Sequence, residues 1–276
     1  VRFFTRSEPP FAIDDARIHH RVADDPATMD ALPADLAAFA PDVVVDDTMP
    51  PARLTDEGAR HVFVMRRCAD ERQAQVFAHA QVAAMDAIVV PHTREGFGHA
   101  LPAALEPRTT FVGPIARRAS EARMAALRAR LGLGTDGFTL VSTPGGGGFA
   151  DDVAHFVAVA CAAHARLVEH LPGFRHVLVL GPNATLRVEP LDPAMLVLAS
   201  EPEMASLIAC ADAVLSAGGY NSVSEIRLER RPAFFLPGDR THDDQRQRVA
   251  ELAARGLAEV LPTDDVEAAA ARLVDA

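Results

Sequence analysis

The sequence predicts two α/β domains, each built on a doubly wound parallel sheet, and three observations carry that expectation. Short apolar runs alternate with amphipathic stretches along the whole chain. Several of those runs are continuous Val, Leu, Ile and Phe, as strands buried on both faces require. The length, 276 residues, suffices for two domains of roughly 100–150 residues each.

Strands are expected at 1–5, 17–21, 43–46, 61–65, 87–90, 110–112, 139–142, 176–180, 195–198, 213–216, 233–236 and 258–260. The amphipathic stretches lie between them. Val153, Phe156, Val157, Ala160, Cys161, Leu167, Val168 and Leu171 recur close to a helical period. Strand–helix alternation of this kind implies parallel sheets with right-handed crossovers. After Gly113-Pro114-Ile115 the pattern changes to an Arg- and Ala-rich charged helix, expected from Arg117 to Arg130 and closed by Gly132 and Gly134. The boundary is therefore placed between residues 115 and 116, giving domains 1–115 and 116–276. The chain opens directly on a strand, so the first domain is expected to lack its initial βα unit.

Bulk properties bound the function. Hydrophobic residues make up 49% of the chain and mean hydropathy is +0.07, an ordinary globular balance. No run approaches the roughly 18–20 apolar residues of a membrane span. The start shows no signal pattern, so a cytoplasmic location is expected. Cys68, Cys161 and Cys210 are isolated in apolar or helical context and read as reduced thiols. A net charge of -11 argues against nucleic acid or anionic membrane surfaces as main partners. Any phosphate site must then be made by local dipoles.

Two glycine-rich turns stand at strand-to-helix junctions. The first is Ser142-Thr143-Pro144-Gly145-Gly146-Gly147-Gly148, ahead of a helix expected from Asp151. Glycines let backbone amides approach a phosphate, and a helix start favours negative charge. The spacing fits neither a Walker loop nor the GxGxxG fingerprint, and a flexible turn explains it equally well. The second is Gly218-Gly219-Tyr220-Asn221, ahead of a helix expected near Ser222. Ser222-Val223-Ser224-Glu225 fits a capping box, in which Glu225 would bond back to the helix start. The paired glycines before it free the backbone for a ligand at the carboxyl edge of a parallel sheet. A third strand-end loop, from Pro237 to Gln245, carries Asp239, Arg240, His242, Asp243 and Asp244; it reads alternatively as a solvated loop with a helix cap.

Gly219-Tyr220-Asn221-Ser222-x-x-Glu225, with Pro237 and Asp244-Gln245 downstream, resembles the donor-binding box of the UDP-glycosyltransferases. The stretch from Met204 to Glu225 is also similar to the MurG-like N-acetylglucosaminyltransferases. The resemblance is sharp over residues 203–245 and architectural elsewhere. It implies the GT-B fold: two Rossmann-like domains, the first for the acceptor and the second for a nucleotide-sugar donor, with no cofactor and no essential metal. Carried over by position, Gly219, Asn221 and Ser222 face the diphosphate, Gly218 opens the same donor-binding turn, and Gly146 and Gly147 close over the phosphates. Glu225 bonds the ribose hydroxyls, Asp244 and Gln245 the sugar hydroxyls, and Glu201 lies in the loop that holds the base. Tyr220 stands where that box usually has Trp, and Arg248 where MurG-like proteins tend to have Asn.

Inverting enzymes of this type activate the acceptor with a first-domain His paired with an Asp. Asp46 or Asp47, in Pro41-Asp42-Val43-Val44-Val45-Asp46-Asp47, is the candidate Asp. The His is expected upstream of this chain; His92 and His99 are the remaining candidates, and His19 and His20 fit less well. The Asp-Asp pairs at 46–47, 151–152, 243–244 and 264–265 do not read as a metal site, since neighbours on a strand face opposite ways and those at helix starts serve as caps. The leading expectation is an inverting, metal-independent glycosyltransferase using a UDP- or dTDP-sugar. Its acceptor is a small molecule or a lipid, with peripheral membrane contact only in the lipid case. A nucleotide-sugar hydrolase and a non-catalytic nucleotide-sugar-binding protein are the alternatives.

Overall fold

The computed structural model describes residues 2–5, 19–22, 34, 36–51, 54, 58–148, 150–238 and 245–276. They fall into two compact units, Val1–Ile115 and Ala116–Ala276.

In the first unit, β1 (Arg2–Thr5) and β2 (His19–Val22) form a parallel pair. A second sheet contains β3 (Val43–Asp47), β4 (Arg60–Val64), β5 (Ala87–Val90) and β6 (Thr109–Phe111), all parallel and in chain order. The edge strand β3 alternates exposed and half-buried residues, while Ile88 and Val90 of the inner β5 are fully buried. Helices α1 (Asp70–Ala78), α2 (Ala80–Ala84) and the single turn α3 (Arg94–Phe97) follow β4 and β5. Phe63, Met65, Val76, Val82, Met85, Ile88 and Phe97 make one core.

The second unit is built from β7 (Thr139–Thr143), β8 (Arg175–Val179), β9 (Met195–Leu198), β10 (Ala213–Ser216), β11 (Ala233–Phe235) and β12 (Glu259–Val260). All neighbours in the sheet are parallel, in the order β9-β8-β7-β10-β11-β12. The chain winds outward from β7 in one direction, returns, and winds outward from β10 in the other. This is the strand order of dinucleotide-binding sheets, whose ligands sit beyond the carboxyl ends where the order reverses. Here the reversal lies between β7 and β10.

The period-2 alternation of each strand divides its residues between two cores. Leu140, Leu178 and Leu215 pack beneath α5 (Ala150–His170) and α9 (Val266–Asp275). Val141, Val177 and Val214 pack on the other face with Leu127 of α4 (Glu121–Leu131), Leu207 of α6 (Met204–Cys210), Val223 of α7 (Tyr220–Leu228) and Val249 of α8 (Gln245–Ala254). Each fully buried Leu or Val contributes about 1.5–3 kcal/mol.

Two helix starts differ from the sequence expectation. Helix α4 begins at Glu121 and not at Arg117, because the Ser120 hydroxyl caps it by accepting from the Arg123 amide at 3.3 Å. Helix α7 begins at Tyr220, two residues ahead of Ser222, with Gly219 as its N-cap. Ser222 is then the third helical residue and Glu225 the sixth, so Ser222–Glu225 forms no capping box.

Candidate functional site

The two glycine turns leave the sheet side by side. Ser216 lies opposite Thr143 in the register, and the Ala217 amide donates to the Thr143 carbonyl at 3.2 Å. The turns therefore flank the point where strand order reverses.

The two glycines of the second turn are used differently. Gly218 has φ +82°, and a Cβ there would sit 2.6 Å from Val249 Cγ1. Its amide donates to Ser216 Oγ at 3.3 Å and its carbonyl accepts from Arg248 Nη1 at 2.8 Å. Backbone conformation and packing both demand glycine at this position. Gly219 has φ -60° and ψ 151°, open to any residue, and a Cβ on it would meet nothing within 4 Å. It also caps α7 without a side-chain bond. A helix with this cap gives the amides of Tyr220, Asn221 and Ser222 no intrahelical acceptor, and its partial positive end faces the same way. The Arg248 guanidinium, 5.9 Å from the Tyr220 ring centre, adds a full positive charge to the turn. Local dipoles are therefore reinforced by a cation, despite the acidic chain.

The first glycine turn is seated on the turn that follows β8. The Gly146 carbonyl accepts from the Asn183 amide at 3.0 Å. Gly147 has φ +75°, and a Cβ on it would lie 2.8 Å from both the Leu180 carbonyl and the Ala184 amide nitrogen. The Thr143 hydroxyl accepts from the Gly145 amide at 3.1 Å. The loop is thus braced on both sides, and Gly147 owes its identity to both its positive φ and its packing.

Glu225 is buried, at 5% exposure. Burial pushes its carboxyl up from the ordinary range, Arg117 opposes that, and Glu229 adds to it. Arg117 Nε lies 3.5 Å from Glu225 Oε1. Gln245 opens α8 and is buried, and its Oε1 has no hydrogen-bond partner among the described residues. A buried acceptor in that state costs about 1–3 kcal/mol, and a ligand hydroxyl would relieve it. Asp244 lies outside the described residues. The Glu201 carboxylate pairs with Arg130 and accepts from the Glu203 amide at 2.9 Å, so its side chain is committed to shaping the 201–203 turn. A cavity of about 160 Å³, lined among others by Pro144, Asp152, Ala217, Leu236, Pro237 and Arg246, opens at the ends of β7, β10 and β11.

In the first unit the candidates separate. Asp47, at the carboxyl end of β3, pairs with Arg66 Nη2 at 3.0 Å and accepts from the Thr48 hydroxyl at 3.0 Å. Asp46 is half-buried, and burial pushes its carboxyl up while His61 opposes the shift. His92 is buried, and its Nε2 accepts from the Arg67 amide at 3.1 Å. That bond ties the turn after β4 to the turn after β5. His99 bonds through Nε2 to the Cys68 carbonyl at 3.1 Å and packs edge-on to Phe97. His19 and His20 stand in β2, at register positions opposite Arg2 and Phe3.

Sequence reasoning missed two features. One is Arg117, whose contacts are described below. The other is a buried polar row in the second unit: Ser142 Oγ to His176 Nε2 at 2.8 Å, His176 stacked on His164 at 5.4 Å, and His164 Nε2 to Asp192 Oδ2 at 3.1 Å. Ser142, His164 and His176 are wholly buried. Burial lowers the His176 pKa to about 3, with neighbouring His164 adding to the shift and Asp192 opposing it. A serine sealed from solvent beside a neutral histidine is a core hydrogen bond and not a nucleophile. Among the described residues, no three His, Cys, Asp or Glu side chains are grouped to hold a metal ion, and no helix is long and apolar enough to cross a membrane.

Solved structures of glycosyltransferases share this fold. The spinosyn forosaminyltransferase SpnP matches with a TM-score of 0.61 at 18% identity, over 91% of this chain and 72% of its own. The glycotransferase of kitacinnamycin matches with a TM-score of 0.57 at 18% identity, over 92% and 73%. UGT2 of Phytolacca americana, in complex with UDP-2fluoro-glucose and pterostilbene, matches with a TM-score of 0.60 at 11% identity, over 99% and 82%. No family model matches the chain, and no curated protein matches it. The chain has the α/β architecture of these enzymes, the GT-B fold with its two Rossmann-like units.

Proposed function

We propose that this protein is a glycosyltransferase whose second unit binds a nucleoside-diphosphate sugar where the strand order of its sheet reverses. The observation that carries the reading is Gly219, a glycine that neither backbone conformation nor packing requires, set at the open start of α7. A diphosphate fits that place: the Asn221 and Ser222 amides and the Arg248 guanidinium complement its charge. Glu225 takes the ribose hydroxyls, the 201–203 turn holds the base, and Gln245 with Asp244 takes hydroxyls of the sugar. Gly146 lies in the loop that covers the phosphates.

The donor is a UDP- or dTDP-sugar and the acceptor, a small molecule or lipid bearing a hydroxyl, is served by the first unit. The acceptor oxygen attacks the anomeric carbon, the bond to the diphosphate breaks with inversion, and the helix start stabilises the charge on the leaving group. The acceptor proton passes to a carboxylate or imidazole base. Asp46, whose burial raises its proton affinity, and Asp47, held by Arg66, are the first-unit carboxylates suited to act on it or to orient a histidine.

Glu225→Gln tests the site. UDP affinity is expected to fall about 10- to 100-fold, the loss of hydrogen bonds to a charged acceptor. The melting temperature should hold or rise, because the variant removes a buried charge. Unchanged affinity in calorimetry with a lowered melting temperature would show that Glu225 serves only to hold Arg117. Sugar release at equal rates with and without acceptor would point to hydrolysis.

A further inference from the structure

The segment entering the second unit is fastened along its length to the same site. Arg117 Nη1 donates to the Pro202 carbonyl at 2.8 Å, and Arg117 Nε lies 3.5 Å from Glu225 Oε1. The Ala119 amide donates to Glu229 Oε1 at 3.0 Å. Arg123 Nη1 pairs with Glu203 Oε2 at 3.0 Å, and Arg130 pairs with Glu201. Three arginines of one segment thus hold the 201–203 turn, and Arg117 alone also reaches the carboxylate on α7.

We propose that Arg117 is a positioning residue for nucleotide recognition: it aims the Glu225 carboxylate at the ribose and fixes the base-holding turn to it. The proposal rests on the nucleotide-binding reading above. The Glu225 side chain is only 7% exposed, a depth at which an ionised carboxylate needs a cation beside it. The arginine side chain that supplies it is itself 55% exposed, so its replacement opens no core cavity. One planar group bonded to a main-chain carbonyl of the turn and to the carboxylate holds their separation constant, and base and ribose must span that separation. Glu229, the other acid facing Glu225, opposes ionisation and is held by the Ala119 amide of the same segment.

The test is a double-mutant cycle read by calorimetric titration of UDP into wild type, Arg117→Gln, Glu225→Gln and the double variant, with Arg117→Lys as the conservative control. Arg117→Gln should bind UDP about tenfold more weakly at pH 7, a coupling usual for charged neighbours. The deficit should be smaller at alkaline than at mildly acidic pH, because alkali restores the ionised Glu225 that Arg117 otherwise maintains. Arg117→Lys should recover part of the affinity, and Arg117→Gln should cost less in the Glu225→Gln background, where only its bond to the Pro202 carbonyl is left to lose. Wild-type affinity in Arg117→Gln, a pH-independent deficit, or an equal deficit in the Glu225→Gln background each overturns the proposal while leaving nucleotide binding standing. A wild-type protein that binds neither UDP nor dTDP overturns the nucleotide reading itself, and the role of Arg117 with it.

Discussion

Gly218→Ala is expected to unfold the second unit at markedly lower temperature, while Gly219→Ala, one residue on, keeps its stability and binds UDP more weakly. At Gly218 a methyl group meets two penalties. The residue has φ +82°, and the added Cβ would stand 2.6 Å from Val249 Cγ1. Left-handed strain and overpacking together come to about 3 kcal/mol, or roughly 6–12 °C of melting temperature in a unit of this size. At Gly219 the backbone is already in an extended conformation and the methyl meets nothing within 4 Å. The weaker capping by Ala is offset by its lower unfolded-state entropy, leaving a net change below about 1 kcal/mol. The space that the methyl enters is the space a phosphate needs, so affinity for UDP should fall by about tenfold or more, some 1.4 kcal/mol. Thermal melting with and without UDP separates the two. A Gly219→Ala protein that binds as wild type would remove the reason for assigning that glycine to a ligand.

Acidification below pH 6.5 is expected to destabilise the second unit through one buried histidine. His176 is wholly buried and its pKa is lowered from 6.5 to about 3. Below pH 6.5 the unfolded chain takes a proton at this residue and the folded chain does not. Unfolding free energy therefore falls with falling pH, and it continues to fall until the folded pKa is reached. At about 1.4 kcal/mol per pH unit, the step from pH 6.5 to pH 5 removes about 2 kcal/mol. Urea unfolding at pH 7, 6 and 5 measures the slope, and His176→Gln, which keeps a hydrogen-bonding group for Ser142, should flatten it. A wild-type slope no steeper than that of the variant would place the acid sensitivity elsewhere.

Much of this architecture was legible in the sequence, because a strand buried on both faces has to be a continuous apolar run. The strands from Val43–Asp47 to Glu259–Val260 stand within a residue or two of the apolar runs that predict them. The glycine turns were equally plain, since little but glycine accepts the positive φ of Gly147 and Gly218. Helix starts were harder. A glycine N-cap makes no side-chain bond and leaves no sequence signature, so Ser222-Val223-Ser224-Glu225 imitated a capping box two residues inside α7. Strand order has no local signal in the residues and was implied only by the family resemblance, and it is the order that sets the two glycine turns together. The same limit hid the Ser142–His176–His164–Asp192 row and Arg117, whose partners lie 85 residues away at Pro202 and still farther on at Glu225. Such contacts follow from topology, and no local period announces them.

A nucleotide diphosphate is expected at the start of α7, beside the turn that follows β7. Backbone amide chemical shifts followed during titration with UDP test it most directly. Saturable shifts largest at Gly219, Asn221 and Ser222, with a second set at Gly145 and Gly146, are the predicted result. Saturable binding whose largest shifts fall in the first unit, or no binding of UDP, dTDP or their sugars at all, would contradict it.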